Sequence, residues 1–303
     1  MKPTLFYINE ALRIKSGAKN IAVFSKGNQP KKYFPKEREE LIQIIGEKYA
    51  ENDTEIDVSD IDTSAIRNFN NVFSRLGNLN YIHGLNTWDM SNAYTLARMF
   101  YCCYEVKELD LTGWDVRLVK SMLGMFSGCH KLQTIKGLES WNTSKCTSFQ
   151  EMFYYCVQLT NFNINDWNVT TLMSTYQMFV GCAKLQRQLD LSKWEIGKQS
   201  NFFRFATEMF ENCRNLITIG DIGNWNLSDV ESVAGMFRGC ECLQTLGDIG
   251  KWNVSNCNNF AGMFDNCGLL QADVSNWNIK VGARTTKIFF KVNTKIFKKC
   301  KLR

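Results

Sequence analysis

Residues 99–117 read MFYCCYEVKELDLTGWDVR, and variants of this stretch recur along most of the 303-residue chain. Every tryptophan occupies the same place in it, and successive tryptophans lie 25 to 31 residues apart. This period is too long for a heptad and too short for an independently folded domain, so each copy must pack against its neighbours. The tryptophans are Trp88, Trp114, Trp141, Trp167, Trp194, Trp225, Trp252 and Trp277.

Three other residue types keep the phase of the tryptophan. A Met-Phe pair follows most tryptophans, a cysteine lies three residues after the Phe, and an aliphatic residue lies three further on. The pair Met209-Phe210 arrives four residues late, so this copy carries an insertion. A weaker copy with Phe73, Leu76 and Leu79 precedes Trp88. The cysteines in phase are Cys103, Cys129, Cys156, Cys182, Cys213, Cys240 and Cys267.

A short alternating stretch in the repeat predicts its secondary structure. Leu109-Asp110-Leu111, Phe162-Asn163-Ile164 and Leu189-Asp190-Leu191 read as strands with apolar side chains on one face. Asp or Asn directly follows seven of the eight tryptophans, where its side chain can bond the backbone and open a turn. The sequence therefore predicts a leucine-rich-repeat type of solenoid, with one short parallel strand per turn and about eight turns.

The phrase MF-x-x-C-x-x-L-x-x-L-D-L-S-x-W-[DN]-[VT]-S resembles the BspA-like leucine-rich-repeat family, a bacterial surface-protein repeat of about 26 residues. The resemblance covers residues 69–279. It implies a bacterial or protist source and a role at the cell surface or in host contact. It brings no catalytic residues and identifies no ligand.

Four segments follow from the limits of the repeat. Residues 33–68 are predicted to form an N-terminal cap, with a helix from Lys36 to Tyr49 that presents Leu41, Ile44 and Ile45 as apolar residues. The others are an N-terminal segment of partial order at 1–32, the solenoid at 69–279, and a basic tail or cap at 280–303.

Charge is distributed unevenly along the chain. Residues 280–303 contain nine Lys or Arg and no acid, whereas residues 52–279 contain 17 basic and 24 acidic residues. A mildly acidic array argues against nucleic acid as its partner. In the tail, Phe289, Val292 and Ile296 share a face at helical spacing. The tail is predicted to cap the last turn, with contact to an anionic membrane or to nucleic acid as the alternative.

The row of tryptophans permits two interpretations. A row of exposed aromatic rings is typical of a carbohydrate or peptide platform, whereas buried rings form a packed core. Binding residues usually vary between repeats, but these tryptophans share one phase with the Phe, Cys and Leu positions. This strict phase favours a structural spine inside the solenoid.

A polar position recurs four residues before each tryptophan, and Asp occupies it in five of eight turns. On a solenoid these side chains would form a row beside the strands, on the face that repeat proteins use for binding. The alternative is that Asp suits the edge of a turn and that water screens the row. The predicted binding residues are Asp110, Asn163, Asp190, Asp221, Asp248 and Asp273, with Gly84 and Gly137 in the remaining turns.

Little in the sequence predicts catalysis, a metal or a cofactor. The in-phase cysteines lie about 27 residues apart and lack the paired C-x-x-C spacing of zinc sites. His83 and His130 are the only histidines, neither shares a local motif with a nucleophile, and both are predicted to lie at the surface. We therefore predict a protein that is not an enzyme, with no cofactor and no metal. The thiols are predicted to be buried apolar groups, with disulfides as the alternative, since in-phase cysteines on adjacent turns would lie near disulfide range.

The sequence leaves the compartment open. The first twelve residues include Asn9 and Glu10 and lead directly to Arg13 and Lys15, which is not typical of a signal peptide. No lipobox or membrane-spanning stretch is visible either, so cytoplasmic residence stays an alternative to the cell surface that the resemblance implies. The function predicted is binding of a protein or other macromolecule through the exposed strand face, as an adhesin or scaffold.

Overall fold

The computed structural model describes residues 30–185, 189–198 and 203–293, together with the backbone of 297 and 298. Predictions that fall on residues 1–29, 294–296 and 299–303 lie outside the described residues, and these include the face position of Ile296 and most of the N-terminal segment.

Helix α1 (Arg38–Glu51) stands where a helix from Lys36 to Tyr49 was predicted. It buries Leu41, Ile45 and Tyr49, which lie on one side at helical spacing. The ammonium of Lys48 lies 2.9 Å from a carboxylate oxygen of Asp60, and the hydroxyl of Tyr49 accepts a bond from the N–H of Asn78 over 3.4 Å. These contacts fix the helix on the first turns of the array.

Within the described residues, six short strands form three parallel pairs, and each pair joins equivalent residues of adjacent repeats. We call the row of these pairs the first ladder. Single bridges between Thr134 and Asn161 and between Thr218 and Thr245 continue it. The strands are β1 (Glu55–Asp57) with β2 (Tyr81–His83), β3 (Glu108–Asp110) with β4 (Thr134–Lys136), and β5 (Ala272–Asp273) with β6 (Phe297–Lys298). Single 3-10 turns at Leu85–Thr87, Leu138–Ser140 and Ile249–Lys251 follow some of them.

A second parallel ladder, absent from the sequence-based expectation, runs through every turn just before the Met-Phe pair. After its bridging residue the backbone enters a series of tight turns. The N–H groups of residues 98, 100 and 102 donate to carbonyl oxygens of the next turn over 2.8 to 2.9 Å, and other turns repeat this pattern. The bridging residues are, in order, Asn68, Thr95, Ser121, Ser148, Ser174, Phe205, Ser232, Asn259 and Arg284.

The expectation of one regular strand per turn therefore holds only in part. Residues 108–110 form a strand, but 162–164 and 189–191 do not. Turns differ in length at this point because some insert a residue: Ile135-Lys136-Gly137-Leu138 replaces Leu109-Asp110-Leu111. Unequal turns keep pairing in the first ladder to three residues or fewer, and the second ladder supplies continuity.

A continuous stack of phenylalanine rings forms the centre of the core. Ring centroids of successive turns lie 5.2 to 6.4 Å apart, and the ring planes are within 13° of parallel. We name each turn by its phenylalanine. The stack runs through Phe73, Phe100, Phe126, Phe153, Phe179, Phe210, Phe237, Phe264 and Phe289.

All eight tryptophans are buried, with at most 4% of their surface exposed. Six of the rings stack on one another in two groups, Trp114 to Trp167 and Trp225 to Trp277, and the inserted copy around Trp194 separates the groups. Six indole N–H groups donate to a backbone carbonyl of the preceding turn over 2.8 to 3.0 Å. The tryptophans therefore join adjacent turns through packing and, in six of the eight, through a hydrogen bond.

Each in-phase cysteine also links two turns. Its Sγ donates to the carbonyl oxygen of the phenylalanine one turn earlier over 3.0 to 3.1 Å, as Cys129 does to Phe100. None of the eleven described cysteines forms a disulfide. Burial raises the pKa of the Cys267 thiol to about 12, so this group stays protonated at neutral pH.

The described part of the tail is not helical. Residues 284–292 form a ninth, degenerate turn in which Ile288-Phe289 replaces Met-Phe and Val292 replaces the cysteine. The ring of Phe289 stacks on Phe264 at 6.4 Å. The spacing of Phe289 and Val292, read from sequence as a helical face, is thus the F-x-x-C spacing of the repeat. These apolar residues are used in packing rather than offered to a membrane.

Candidate binding surfaces

The structure gives the predicted Asp row a local structural role. In five of the six positions a side-chain oxygen accepts the backbone N–H two residues later over 2.9 to 3.1 Å, which forms an Asx turn. Asp248 instead pairs with the ammonium of Lys251 at 3.0 Å. The residues with Asx turns are Asp110, Asn163, Asp190, Asp221 and Asp273.

The six residues do not form one unbroken column. Pairing of β3 with β4 sets Asp110 opposite Lys136, because Gly137 is an inserted residue. Asp221 and Asp248 do lie on adjacent turns, since the N–H of Asp248 donates to Oδ1 of Asp221 over 3.1 Å. Apart from the half-buried Asp110, the six side chains are exposed. Their role in binding stays a prediction.

Outward side chains of the first ladder define what we call the strand surface. It carries mixed charge and aromatic groups: Glu108 pairs with Lys136, and the ammonium of Lys107 lies 6.0 Å from the ring centroid of Tyr81. Tyr, Glu, Asn and Thr occupy the first strand position in different turns, while the residues beneath remain apolar. The outward residues of the first strand position are Tyr81, Glu108, Thr134, Asn161, Thr218 and Thr245.

The two histidines make surface contacts. Nε2 of His83 lies against a carboxylate oxygen of Glu55 on the neighbouring strand, and the ring of His130 packs 5.2 Å from the ring of Tyr104. His130 is exposed and His83 half-buried. Over the described ranges, no three His, Cys, Asp or Glu side chains are grouped to hold a metal ion.

A second exposed surface was missed in the sequence. It consists of outward side chains beside the second ladder, and we call it the turn surface. The residues two before and two after each phenylalanine have positive φ in all nine turns, as in Glu151 (φ 55°) and Tyr155 (φ 54°). Glycine holds several of these positions, but Arg, Glu, Gln, Tyr, Asn, Cys and Lys hold the others. These non-glycine side chains determine the charge and polarity of the turn surface.

Three carboxylates and two phenols meet at the middle of the turn surface. The amide of Gln177 donates to Oε2 of Glu208 over 2.7 Å, and the guanidinium of Arg238 lies 3.1 Å from Glu211 and 3.7 Å from Glu208. We call the group of Glu151, Tyr154, Tyr176, Glu208 and Glu211 the glutamate–tyrosine patch.

Burial and mutual charge shift the pKa values of three of these side chains. Burial raises the pKa of the Tyr176 phenol, and the negative charges of Glu208, Glu151 and Glu211 raise it further. The pKa of Tyr154 is raised by burial, by Tyr155 and by the same three carboxylates. Burial also raises the pKa of Glu211, while Arg238 opposes that rise. The patch is a half-buried region of negative potential beside aromatic rings.

The position of charged residues relative to each phenylalanine is the sequence signal that could have indicated the turn surface. Residues two before each Phe include Arg98, Glu151, Glu208 and Lys287, and these charged side chains stand in an otherwise regular phrase. No sequence pattern predicts a ladder in this segment, because left-handed backbone at non-glycine residues has no strong sequence signature.

A family described as "Mycoplasma protein of unknown function, DUF285" matches residues 45–136, 104–216 and 204–299. Together the matches cover residues 45–299, well over half of the chain. This chain belongs to the DUF285 family. The three matched segments of the DUF285 family overlap one another, which agrees with an array of similar turns.

Solved structures with similarity to this DUF285 chain include a leucine-rich repeat protein from Bacteroides ovatus ATCC 8483. That protein is 16% identical, with a TM-score of 0.27, over 76% of this chain and 73% of its own. A TLR13–ssRNA13 complex is 13% identical, with a TM-score of 0.25, over 80% of this chain and 53% of the other. This chain thus spans about half the length of the protein in that complex. No curated protein sequence matches this DUF285 chain significantly.

With parallel ladders and apolar residues in phase, the DUF285 chain is a leucine-rich-repeat-like solenoid. Among its described residues, no helix has the length and apolarity needed to cross a membrane.

Proposed function

We propose that this chain is a non-catalytic interaction protein that binds a protein or another macromolecule through the strand surface. The observation that carries the proposal is the separation of roles in each turn. Phe, Trp, Cys and Leu positions are buried and repeated, whereas outward positions of the first ladder vary and are aligned by the parallel register. Aligned, variable side chains on a rigid repeat scaffold are typical of a recognition surface.

The finer proposal is an adhesin-like role at the cell surface. It rests on the resemblance of the repeat phrase to BspA-like surface proteins. The family match, to Mycoplasma proteins of unknown function, agrees with a bacterial source. Within this proposal, the Asp row supplies negative charge along one edge of the strand surface.

Neutralising three aspartates tests the row without disturbing its Asx turns. Asn keeps a side-chain oxygen that can accept the same backbone N–H, but it removes the charge. We expect the triple variant Asp190→Asn, Asp221→Asn and Asp248→Asn to weaken binding to fixed animal-cell monolayers about tenfold. The measurement is binding of fluorescently labelled protein over a concentration series.

A matched control uses the Asp residues directly after the tryptophan position of the repeat. Asp62, Asp89 and Asp115 also accept the N–H of the residue two positions on, and their replacement by Asn removes the same number of charges. The control variant should bind as the unmodified protein does. Equal loss in both variants, or no binding by the unmodified protein, would reject the Asp row as an adhesive site.

A further inference from the structure

The turn surface changes the sign of its charge along the array. Its middle carries the glutamate–tyrosine patch, whereas the ninth turn carries Arg284, Lys287 and Lys291, all exposed. Lys287 and Lys291 hold the two left-handed positions of that turn (φ 57° and 54°). Phe290 lies between them with 47% of its surface exposed, and both ammonium groups lie 5.5 to 5.6 Å from its ring centroid. We call these four residues the basic turn.

The patch and the basic turn cannot meet within one molecule. The patch is centred on the Phe179 turn, four steps from the Phe289 turn, which is about 20 Å at the usual spacing of neighbouring strands. Every step between them is held by a parallel bridge and by stacked phenylalanines. The two regions therefore keep their separation, and only a second molecule can bring them together.

We propose that the turn surface is a self-association surface, on which the basic turn of one copy docks against the glutamate–tyrosine patch of another. The two regions are complementary in charge and both contain exposed or half-buried aromatic rings. Glu208 and Glu211 share the single guanidinium of Arg238, so the carboxylates outnumber the cation that they face. Lysine ammonium groups from a partner add charge where the potential is negative.

The phenols of the patch suit the same partner. Tyr154 of the patch packs on its neighbour Tyr155, which lies beside the patch, with ring centroids 4.7 Å apart, and 42% of the surface of Tyr155 is exposed. Aromatic faces attract ammonium groups within about 6 Å of the ring centre. Phe290 of the partner can add apolar contact to the tyrosines. A contact of this kind depends on charge, so it weakens as salt screens the groups.

Charge reversal with mixing tests the proposal. Sedimentation velocity should show self-association of the unmodified protein at about 100 μM in low salt, within the range of weak specific contacts. One variant carries Lys287→Glu and Lys291→Glu, and the other carries Glu208→Lys and Glu211→Lys. Each variant alone should be monomeric. An equimolar mixture should associate again, because each contact then joins opposite charges.

A neutral double variant and a control variant separate loss of the contact from loss of folding. Since Glu208 and Glu211 are half-buried, Glu208→Gln with Glu211→Gln removes the charges with less disturbance, and circular dichroism checks the fold. This neutral pair should weaken self-association at least tenfold. The control exchanges the exposed charges of Glu139 and Lys145, which belong to neither region, and should associate normally. The proposal is overturned if the unmodified protein is monomeric, if folded reversal or neutral variants associate normally, or if the mixture stays monomeric.

Discussion

Replacing Phe153 with alanine is expected to lower the free energy of unfolding by about 3 to 5 kcal/mol. Phe153 is fully buried, and its ring stacks on Phe126 at 5.5 Å and on Phe179 at 5.3 Å. Its carbonyl oxygen also accepts the Sγ–H of Cys182. Alanine would open a gap in the middle of the stack, where each turn contacts only its neighbours. Urea denaturation followed by tryptophan fluorescence measures the loss.

The control for this variant is Tyr155→Ala in the same turn. Tyr155 is 42% exposed, so its removal should cost much less, on the order of 1 kcal/mol. If the two variants lose similar stability, the phenylalanine stack is not the centre of the core.

Replacing Gly137 with alanine is the second change with a large expected effect, a loss of about 2 to 4 kcal/mol. Gly137 has φ of 93°, in the left-handed region, and it precedes the 3-10 turn at Leu138–Ser140. A Cβ atom there would lie 2.6 Å from the carbonyl carbon of Leu111 and 2.6 Å from the amide nitrogen of Thr112. Both are backbone atoms of the adjacent turn, so relief requires the two turns to separate.

Gly46→Ala is the matched control. Gly46 lies inside helix α1, and a Cβ atom there would meet nothing within 4 Å. Because alanine favours the helix, this variant should gain about 0.5 to 1 kcal/mol. Thermal denaturation of both variants gives the comparison. A neutral Gly137→Ala variant would show that the turns at this corner are not in close contact.

The repeat and its buried positions were predictable from the sequence, because burial imposes the same residue type in every turn. The Phe, Trp, Cys and Leu phases each reappear as a buried column. The continuous stack of Phe rings was not predicted, because the regular Trp positions suggested that Trp forms the spine. The unbroken column is formed by Phe.

Contacts between turns were harder to predict, because they depend on register. Counting back from the tryptophan aligned Asp110 with Gly137, but the inserted glycine places Asp110 opposite Lys136. The second ladder was missed for a related reason. Its left-handed residues include Arg98, Glu151 and Lys287, and these residue types do not predict left-handed backbone. The glutamate–tyrosine patch follows from this ladder and was therefore missed with it.

The exchange of the tryptophan indole protons with solvent tests the central claim most directly, namely that the tryptophans form the interior of a stacked solenoid and not a binding row. After transfer to heavy water, two-dimensional ¹H–¹⁵N spectra should retain the indole signals for on the order of hours. Trp141 and Trp225 should exchange first, since their buried Nε1 atoms lack the acceptor that the other six have. Loss of most indole signals in the first spectrum would contradict a buried tryptophan spine.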